Sequence, residues 1–453
     1  MRKLIQTIQN IWKIEDLRVR VLFTLGFVAI YRLGSYVVLP GIDPNALTAY
    51  QKQASEGILG LINLFAGGAF SRASIFALGI MPYISASIVI QLLTIAVPYF
   101  QRLQKEGESG RKKMNQITRV LTIAVTASQS VAFLVNLRNQ ASGAIVSVAH
   151  PEVMSPAFFM MTNIILLTCG TLFVMWLGEK ITDRGIGNGI SLIIMIGIVA
   201  RLPLALFAEF DMRLSETGGG LVVFFIEIVA LLFVILGTIL LVQGTRRIPV
   251  QYAKRIVGNK QYGGVRQYLP LKVNAAGVMP IIFAQAIMFI PATIAQFFPN
   301  SSAWRGLVGA LNDYTSFGYN FIYALMIILF TYFYTAVTIN PTQIADDLKR
   351  NGGFIPGIKP GKKTASYIDS IMSRITFPGS IFLAFVAIMP SFAKMFNVNT
   401  QFAQFFGGTS LLIMVGVILD TLQQIESHLL MRHYDGLMKS GRIKGRTGTT
   451  GSY

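Results

Sequence analysis

The sequence predicts an all-α polytopic membrane protein with ten transmembrane helices. Of its 453 residues, 53% are hydrophobic and only 13% are charged, whereas soluble globular proteins carry roughly 25% charged residues. Ten apolar segments are each long enough to cross a hydrocarbon core about 30 Å thick, which takes roughly 20 helical residues. Helices are expected because lipid offers no hydrogen-bond partner to an exposed backbone.

The first five predicted spans form an N-terminal half, residues 1–207. The polar stretch before them lacks the apolar region and cleavage site of a signal peptide, so the first span is expected to act as an uncleaved insertion signal. The fifth span opens on a glycine-rich stretch that lacks the preceding strand of a dinucleotide-binding motif. These five spans cover residues 21–38, 74–97, 114–137, 156–177 and 188–207.

The last five predicted spans form a C-terminal half, residues 208–430. Among all ten spans, the main ionisable residues are Arg32, Glu227 and Asp420. Charges inside a membrane are costly and usually functional, and so few of them argue against a proton- or ion-coupled transporter. The five C-terminal spans cover residues 220–243, 274–297, 317–339, 367–392 and 408–430.

Charge asymmetry between the loops predicts the orientation. The loops after the odd-numbered spans hold seven basic and seven acidic residues, and the rest of the chain holds 32 basic and 13 acidic residues. The positive-inside rule therefore places both termini and the basic tail, 431–453, in the cytoplasm of a bacterial cell, with the chain in its inner membrane. Five helices per half also predict inverted topology, with a path between the halves.

Two predicted cytoplasmic loops are longer than a simple connection needs. The loop 243–272 holds seven basic residues and no acidic one, and the loop 340–366 is also basic. Residues 265–269 and their flanking glycines predict a hairpin that projects from the membrane. Such a protrusion suits an acidic protein or ribosomal RNA, although solvated positive loops would look the same.

The apolar stretch 57–70 is too short to cross the membrane. Its 14 residues include glycines, and at 1.5 Å per residue it would reach only about 21 Å as a helix. Segments of this length are typically re-entrant or interfacial. Both a short helix folded back into a water-filled cavity and an amphipathic helix on the outer surface fit the pattern.

The sequence contains no recognisable catalytic motif. Nucleotide-binding P-loop, zinc-protease, serine-hydrolase and CxxC patterns are all missing, and the single cysteine and three histidines are scattered. We therefore expect neither an enzyme nor a bound cofactor or metal. The spans instead carry isoleucine pairs at helical spacing, which by periodicity alone indicate ordinary packing.

Seven long stretches resemble the SecY/Sec61-alpha family of protein-conducting channels, in order along nearly the whole chain. The most specific is GGAFSRASIFALGIMPYISASIVIQLL at 67–93. The others are KEGESGRKK at 105–113, MWLGEKITDRGIGNGIS at 175–191, RRIPVQYAKR at 246–255, LPLKVNAAGVMP at 269–280, FIPGIKPGKKTASYID at 354–369 and FFGGTSLLIMVGV at 405–417.

The resemblance implies a site made of four groups of residues. A ring of branched apolar side chains narrows the pore and consists of Ile80, Ile84, Ile190, Ile194, Ile282 and Ile413. A re-entrant plug at about 57–70 closes the outer funnel and includes Leu61, Ile62, Leu64, Phe65, Gly67 and Gly68. Polar lateral-gate positions, expected to hydrogen-bond to one another, fall on Gln91, Thr118 and Asn274. Residues that dock partners on the two basic loops are Arg246, Arg247, Lys254, Arg255 and Lys359.

The resemblance also implies partners and an external energy source. SecE and SecG are the expected small subunits, and SecA or a translating ribosome would drive an unfolded preprotein and its signal sequence through the channel or into the lipid bilayer. SecD/SecF and YidC are expected accessory partners. The family usually has arginine where this chain has Lys359, so we expect a point-charge contact there and not a bidentate one.

The sequence leaves three alternative functions open. A small-solute carrier with inverted repeats would need polar ligands at the membrane midplane, of which the spans offer few. A membrane scaffold would explain the basic loops but not the short segment 57–70 or the isoleucines. The alternative that is hardest to distinguish from the bacterial channel subunit is an accessory or plastid relative of it.

Overall fold

The computed structural model is a bundle of long helices with a small β-sheet at one end. It describes residues 12, 14–47, 50–51, 60, 63–149, 154–215, 220–252, 255–257, 260–262, 266–285, 287–288 and 315–439. The helices are α1 (Glu15–Gly34), α2 (Met81–Ala96), α3 (Pro98–Lys105), α4 (Glu108–Gln140), α5 (Val146–Ala149), α6 (Pro156–Arg184), α7 (Gly189–Val199), α8 (Leu202–Leu214), α9 (Gly220–Gln243), α10 (Phe317–Thr338), α11 (Pro341–Arg350), α12 (Lys362–Met395), α13 (Thr400–Ala403) and α14 (Gly408–Lys439). Residues 279–285 are also helical.

Most predicted spans coincide with long helices of the structure. Seven stretches within the described residues are long and apolar enough to cross a membrane, and a bent pair, Met81–Thr94 with Pro98–Gln104, would make eight. Six predicted spans are contained in a helix of the structure or match it to within one residue. They are the third, fourth, sixth, eighth, ninth and tenth spans, which correspond to α4, α6, α9, α10, α12 and α14. The seventh predicted span, 274–297, continues beyond the described residues, and α1 contains most of the first.

The second predicted span is only partly helical. Residues 74–80 form a series of turns, with hydrogen bonds such as Ala77 N to Ser74 O, and α2 begins at Met81. Pro82 lies in the first turn of α2, where its missing N–H costs nothing. The turns pack closely on α6, since a Cβ added at Gly170 would lie 2.3 Å from the Ile75 carbonyl oxygen.

The first and fifth predicted spans also differ from the structure at their ends. Helix α1 stops at Gly34, four residues early, and a Cβ there would lie 2.1 Å from the Phe76 ring. The fifth span breaks after Val199 and resumes as α8, with Pro203 in its first turn. Asn188 caps the start of α7 by accepting hydrogen bonds from two backbone N–H groups of its first turn.

The two basic loops fold together into a three-stranded sheet. Its strands are β1 (Thr245–Tyr252), β4 (Arg266–Lys272) and β5 (Gly353–Phe354), and a separate two-stranded antiparallel sheet consists of β2 (Arg255–Val257) and β3 (Lys260–Tyr262). β1 pairs antiparallel with β4, so residues 266–269, predicted as part of a hairpin turn, belong to one strand. β1 also pairs antiparallel with β5 from the second loop. The segment 340–366, predicted as a loop, contains both α11 and β5.

Three apolar clusters hold the molecule together. The first is built around Tyr31, Phe76, Leu134, Leu167, Leu177, Ile193 and Phe402. The second surrounds Ile281, Phe283, Ile327, Leu383 and Leu412. The third lies under the sheet and contains Ile248, Val250, Leu271, Leu348, Ile355, Ile368 and Met372. Because α9 exposes large apolar side chains along its length, we assign that surface to contact with lipid.

Candidate functional site

The six isoleucines of the predicted pore ring meet at the first apolar cluster. Ile80, Ile194 and Ile413 are buried members of it, and Ile84, Ile190 and Ile282 pack against it. They come from the start of α2, from α7, from the helical residues 279–285 and from α14, so four separate segments converge there. Chain positions more than 300 residues apart therefore contribute isoleucines to the same apolar cluster.

Two ring members also touch the second apolar cluster. Ile84 and Ile282 pack against both clusters, so these two predicted ring residues lie where the clusters meet. Branched aliphatic side chains carry no hydrogen-bonding group. A constriction lined by them offers no ligands to a dehydrated ion, yet it can deform around a passing chain.

The described part of the predicted plug packs into the same cluster as the ring. Leu64 and Phe65 are buried members of it, whereas Leu61 and Ile62 lie outside the described residues. Residues 63–65 are helical and residues 66–70 form turns, so the described half of the segment is less helical than expected. Gly67 and Gly68 have φ of +62° and +86°, which glycine adopts without strain.

Helix α7 approaches the plug through a glycine. A Cβ added at Gly197 would lie 3.0 Å from the Phe65 carbonyl oxygen and 3.2 Å from the Gly67 nitrogen. On the other side, the Tyr31 hydroxyl donates a hydrogen bond to the Ala66 carbonyl oxygen at 3.4 Å, and Arg32 donates to Gly67. The plug backbone is therefore enclosed between α1 and α7.

The predicted hydrogen bonds between the three lateral-gate residues are not formed. Gln91 donates to Ser87 at 3.4 Å, and Thr118 donates to the Met114 carbonyl oxygen of its own helix at 2.9 Å. Asn274 is buried, and its side-chain oxygen Oδ1 has no hydrogen-bond partner among the described residues. Gln91 and Thr118 thus bond to groups of their own helices, and within the described part of the chain none of the three residues bonds to another.

Apolar packing takes the place of those hydrogen bonds. Ile88 on α2 is a buried member of the second cluster, together with Ile281 and Phe283 of the helical residues 279–285. Leu92, one turn further along α2, packs against the same cluster. Helix α2 and residues 279–285 thus contribute apolar side chains to the same cluster.

The predicted docking residues lie on or near the sheet. Arg246 and Arg247 on β1 and Lys359 are exposed. Lys254 lies outside the described residues, and Arg255 belongs to β2, although its side chain is not described. The strand pairing places Arg247, Arg266 and Lys272 on the face that also carries Tyr268 and Phe354.

A buried ionic cluster escaped the sequence analysis. Arg213 donates to Glu209 at 2.7 Å and to Glu227, and it also donates to the Asn397 carbonyl oxygen at 3.1 Å. Glu209 in turn accepts from the Asn399 N–H at 2.7 Å. Glu209 and Arg213 were assigned to a loop, but their four-residue spacing places them on one face of α8.

Relatives with established names match nearly the whole chain. A family model described as SecY matches residues 74–422. Protein translocase subunit SecY of Chlamydia muridarum is 40% identical over 455 residues, covering 97% of this chain and 99% of that protein. The protein of the same name in Mycobacterium tuberculosis is 45% identical over 437 residues, covering 94% and 97%.

Solved structures with the same fold include protein channels. One, described as "The structure of a protein conducting channel", aligns with a TM-score of 0.62 at 18% identity and covers 90% of this chain and 92% of that chain. Another, "Sec61 in the Canine ribosome-channel complex from the endoplasmic reticulum", aligns with a TM-score of 0.57 at 16% identity and with the same coverage. At this identity the likeness concerns the fold alone.

Proposed function

This chain belongs to the SecY family and is the pore subunit of a protein-conducting channel, not an enzyme, and from that premise we propose how its residues divide the work. The six isoleucines form the constriction through which an unfolded preprotein passes. The observation that carries this assignment is their convergence on one apolar cluster from four separate segments.

We assign the resting seal to the plug segment, residues 57–70. Its described part is buried against the same cluster as the ring and is enclosed by α1 and α7. The channel opens when this segment leaves the cluster and the isoleucines separate around the chain. An apolar ring then limits ion flow because it offers an ion nothing to replace its water shell.

We assign lateral release of signal sequences and membrane segments to the contact between α2, α4 and the segment 274–288. The two halves, 1–207 and 208–430, separate along this line. Ile88 and Phe283 keep it closed by apolar contact, and an apolar signal sequence competes with them through the same interaction. Gln91, Thr118 and Asn274 border this gate.

We assign the driving force to partners that dock on the sheet. The exposed cations Arg246, Arg247 and Lys359 suit an acidic protein surface or ribosomal RNA. SecA or a translating ribosome supplies the work, SecE and SecG complete the heterotrimer, and SecD/SecF and YidC act as accessory partners. Both termini then lie in the cytoplasm of a bacterial cell, and the spans cross its inner membrane.

A transport assay tests this function on the assembled complex. The chain carrying Cys169→Ser and Ile84→Cys is reconstituted with its small subunits in liposomes. SecA, ATP and an unfolded precursor with one cysteine are then added. We expect ATP-dependent protection of the precursor from protease, together with a disulfide between the precursor and position 84.

Val89→Cys is the matched control, because Val89 lies on the same helix and is 42% exposed. We expect no crosslink from position 89. Equal crosslinking from both positions would remove Ile84 from the path. Absence of protection with SecA still bound, and again with translating ribosomes, would contradict a role in transport.

A further inference from the structure

The carbonyl oxygen of Gly67, near the C-terminal end of the plug segment, accepts hydrogen bonds from two arginines. Arg32 Nη1 and Arg72 Nη2 each lie 3.2 Å from it. Arg32 belongs to the last turn of α1, and Arg72 follows the plug segment in the chain. Hydrogen bonds from charged donors are stronger than those from neutral ones, so this one oxygen is held unusually firmly.

Other contacts orient the Arg72 guanidinium. Its Nε donates to the Ser35 carbonyl oxygen at 3.3 Å, and its Cζ lies 4.1 Å from the centre of the Tyr36 ring. The Arg32 Cζ is 5.8 Å from the same ring. A planar guanidinium can stack and donate in several directions at once, which a lysine ammonium cannot reproduce.

Neither arginine forms a salt bridge within the described residues. Burial lowers the pKa of Arg72 below its ordinary value, an effect that Tyr36 opposes and Arg32 reinforces. An arginine nevertheless stays protonated in proteins. Two like charges are therefore kept side by side at one carbonyl, an arrangement that stability alone does not favour.

Little space surrounds the Gly67 backbone. Its φ is +62°, and a Cβ added there would lie 2.8 Å from Gly197 Cα and 2.9 Å from Arg32 Nη1. The chain is thus confined between α7 and the two guanidinium groups. Any movement of the plug must either break these two hydrogen bonds or pivot about them.

We propose that Arg32 and Arg72 are positioning residues that hold the C-terminal end of the plug segment at the pore ring and so set how often the resting channel opens. This inference rests on the sealing role proposed for residues 57–70. The two arginines act through the Gly67 carbonyl oxygen and need not touch the transported chain.

Ion leakage from resting proteoliposomes tests the proposal. Arg32→Met, Arg72→Met and the double variant are reconstituted in the full complex, and release of trapped chloride and potassium is followed without SecA. Loss of one such charge-assisted hydrogen bond should raise the leak about ten- to a hundredfold, and loss of both should raise it further. Arg72→Lys keeps a charged donor without the stacking and is expected to leak at an intermediate rate.

Arg20→Met is the matched control. Arg20 lies on the same helix and its Nη1 also donates to a glycine carbonyl oxygen, that of Gly185, at 3.3 Å, but it is remote from the plug. Its leak should equal that of the parent chain, and all variants should retain SecA-driven transport. If Arg72→Met fails to assemble, Arg72→Lys and Arg32→Met still decide the question.

A variant lacking residues 57–66 distinguishes a failure of the sealing role of the plug segment from a failure of the positioning role of the two arginines. If it leaks and both arginine variants are as tight as the parent chain, the sealing role stands and the positioning role is wrong. If the deletion itself does not leak, the sealing role fails first. A leak of equal size in Arg20→Met would also overturn the proposal, because the effect would then reflect general loosening.

Discussion

At the scale of single residues, one of the close contacts in the site involves a position without a side chain. Gly197 leaves room for the Phe65 carbonyl oxygen and the Gly67 nitrogen, which would lie 3.0 and 3.2 Å from an added Cβ. Both neighbours are backbone atoms, and backbone cannot rotate away as a flexible side chain can. A side chain added at position 197 would therefore push directly against the backbone of the plug segment.

We expect Gly197→Ala to raise the resting leak and Gly197→Val to raise it more, because each added carbon displaces the plug backbone from the ring. Gly26→Ala and Gly26→Val are the controls, since a Cβ at Gly26 meets nothing within 4 Å. Conductance of the resting complex in planar bilayers measures the effect. Equal conductance in the two series would contradict the role assigned to this contact.

The second prediction for a single residue concerns Asn274. Its buried side-chain oxygen Oδ1 has no partner among the described residues, and an unsatisfied buried polar group costs about 1–3 kcal/mol. Asn274→Leu should therefore stabilise the closed gate and slow the response to weakly apolar signal sequences.

Thr118→Val is the comparison for Asn274→Leu. Thr118 bonds to the Met114 carbonyl oxygen of its own helix, and its replacement should change gating much less. The rate of precursor transport across a series of signal sequences of graded hydrophobicity measures both. Faster transport of weak signals by Asn274→Leu would show that Asn274 holds the gate closed.

At the scale of elements, the spans were predictable because the bilayer dictates their length. Helices α9 and α10 begin and end within one residue of the predicted boundaries. The errors lie where tertiary contacts replace helical hydrogen bonds. Residues 74–80 turn against Gly170, and the break after Val199 is marked in the sequence only by Pro203. A proline in the first turn of a helix could have located both starts.

Helix α8 is held by the buried ionic cluster around Arg213, whose side chain and those of Glu209 and Glu227 are each less than a tenth exposed. Removing one partner of a buried ion pair leaves a charge uncompensated, which costs about 3–5 kcal/mol. We therefore expect Arg213→Met to lower the thermal unfolding temperature of the complex in detergent.

Two further variants test whether the lower unfolding temperature comes from the uncompensated buried charge. Lys112→Met removes an ion pair of which both members are largely exposed, so its effect should stay within about 0.5 kcal/mol. Replacing Glu209, Arg213 and Glu227 together by leucine or methionine should recover most of the loss, because no charge is then left buried. A triple variant as unstable as Arg213→Met would indicate that the hydrogen bonds to Asn397 and Asn399 dominate.

At the scale of the whole molecule, the two basic loops form one body. β1 pairs with β5 about a hundred residues later in the chain, and both lie over the third apolar cluster together with α12. No periodicity within either loop predicts such a pairing, so it could not be inferred from the sequence. The basic docking residues, by contrast, were visible as a charge pattern.

A disulfide tests this union of the loops. Gln251 and Phe354 are directly opposite one another in the pairing of β1 with β5, and opposed residues of antiparallel strands have Cα atoms about 4.5–5.5 Å apart, within reach of a disulfide. In a Cys169→Ser background, we expect Gln251→Cys with Phe354→Cys to crosslink readily and to leave transport intact. Gln251→Cys with Lys359→Cys should crosslink poorly, and the reverse order would contradict the strand register.

The position of Ile84 and Ile282 against two apolar clusters has a thermodynamic consequence. Widening the ring of an empty channel parts the two clusters and exposes apolar surface to water, which raises the heat capacity. Widening it around an apolar signal sequence replaces one apolar contact by another and leaves the heat capacity nearly unchanged. A van't Hoff plot of the equilibrium constant for spontaneous opening should thus be curved. The same plot for opening by a substrate should be nearly straight.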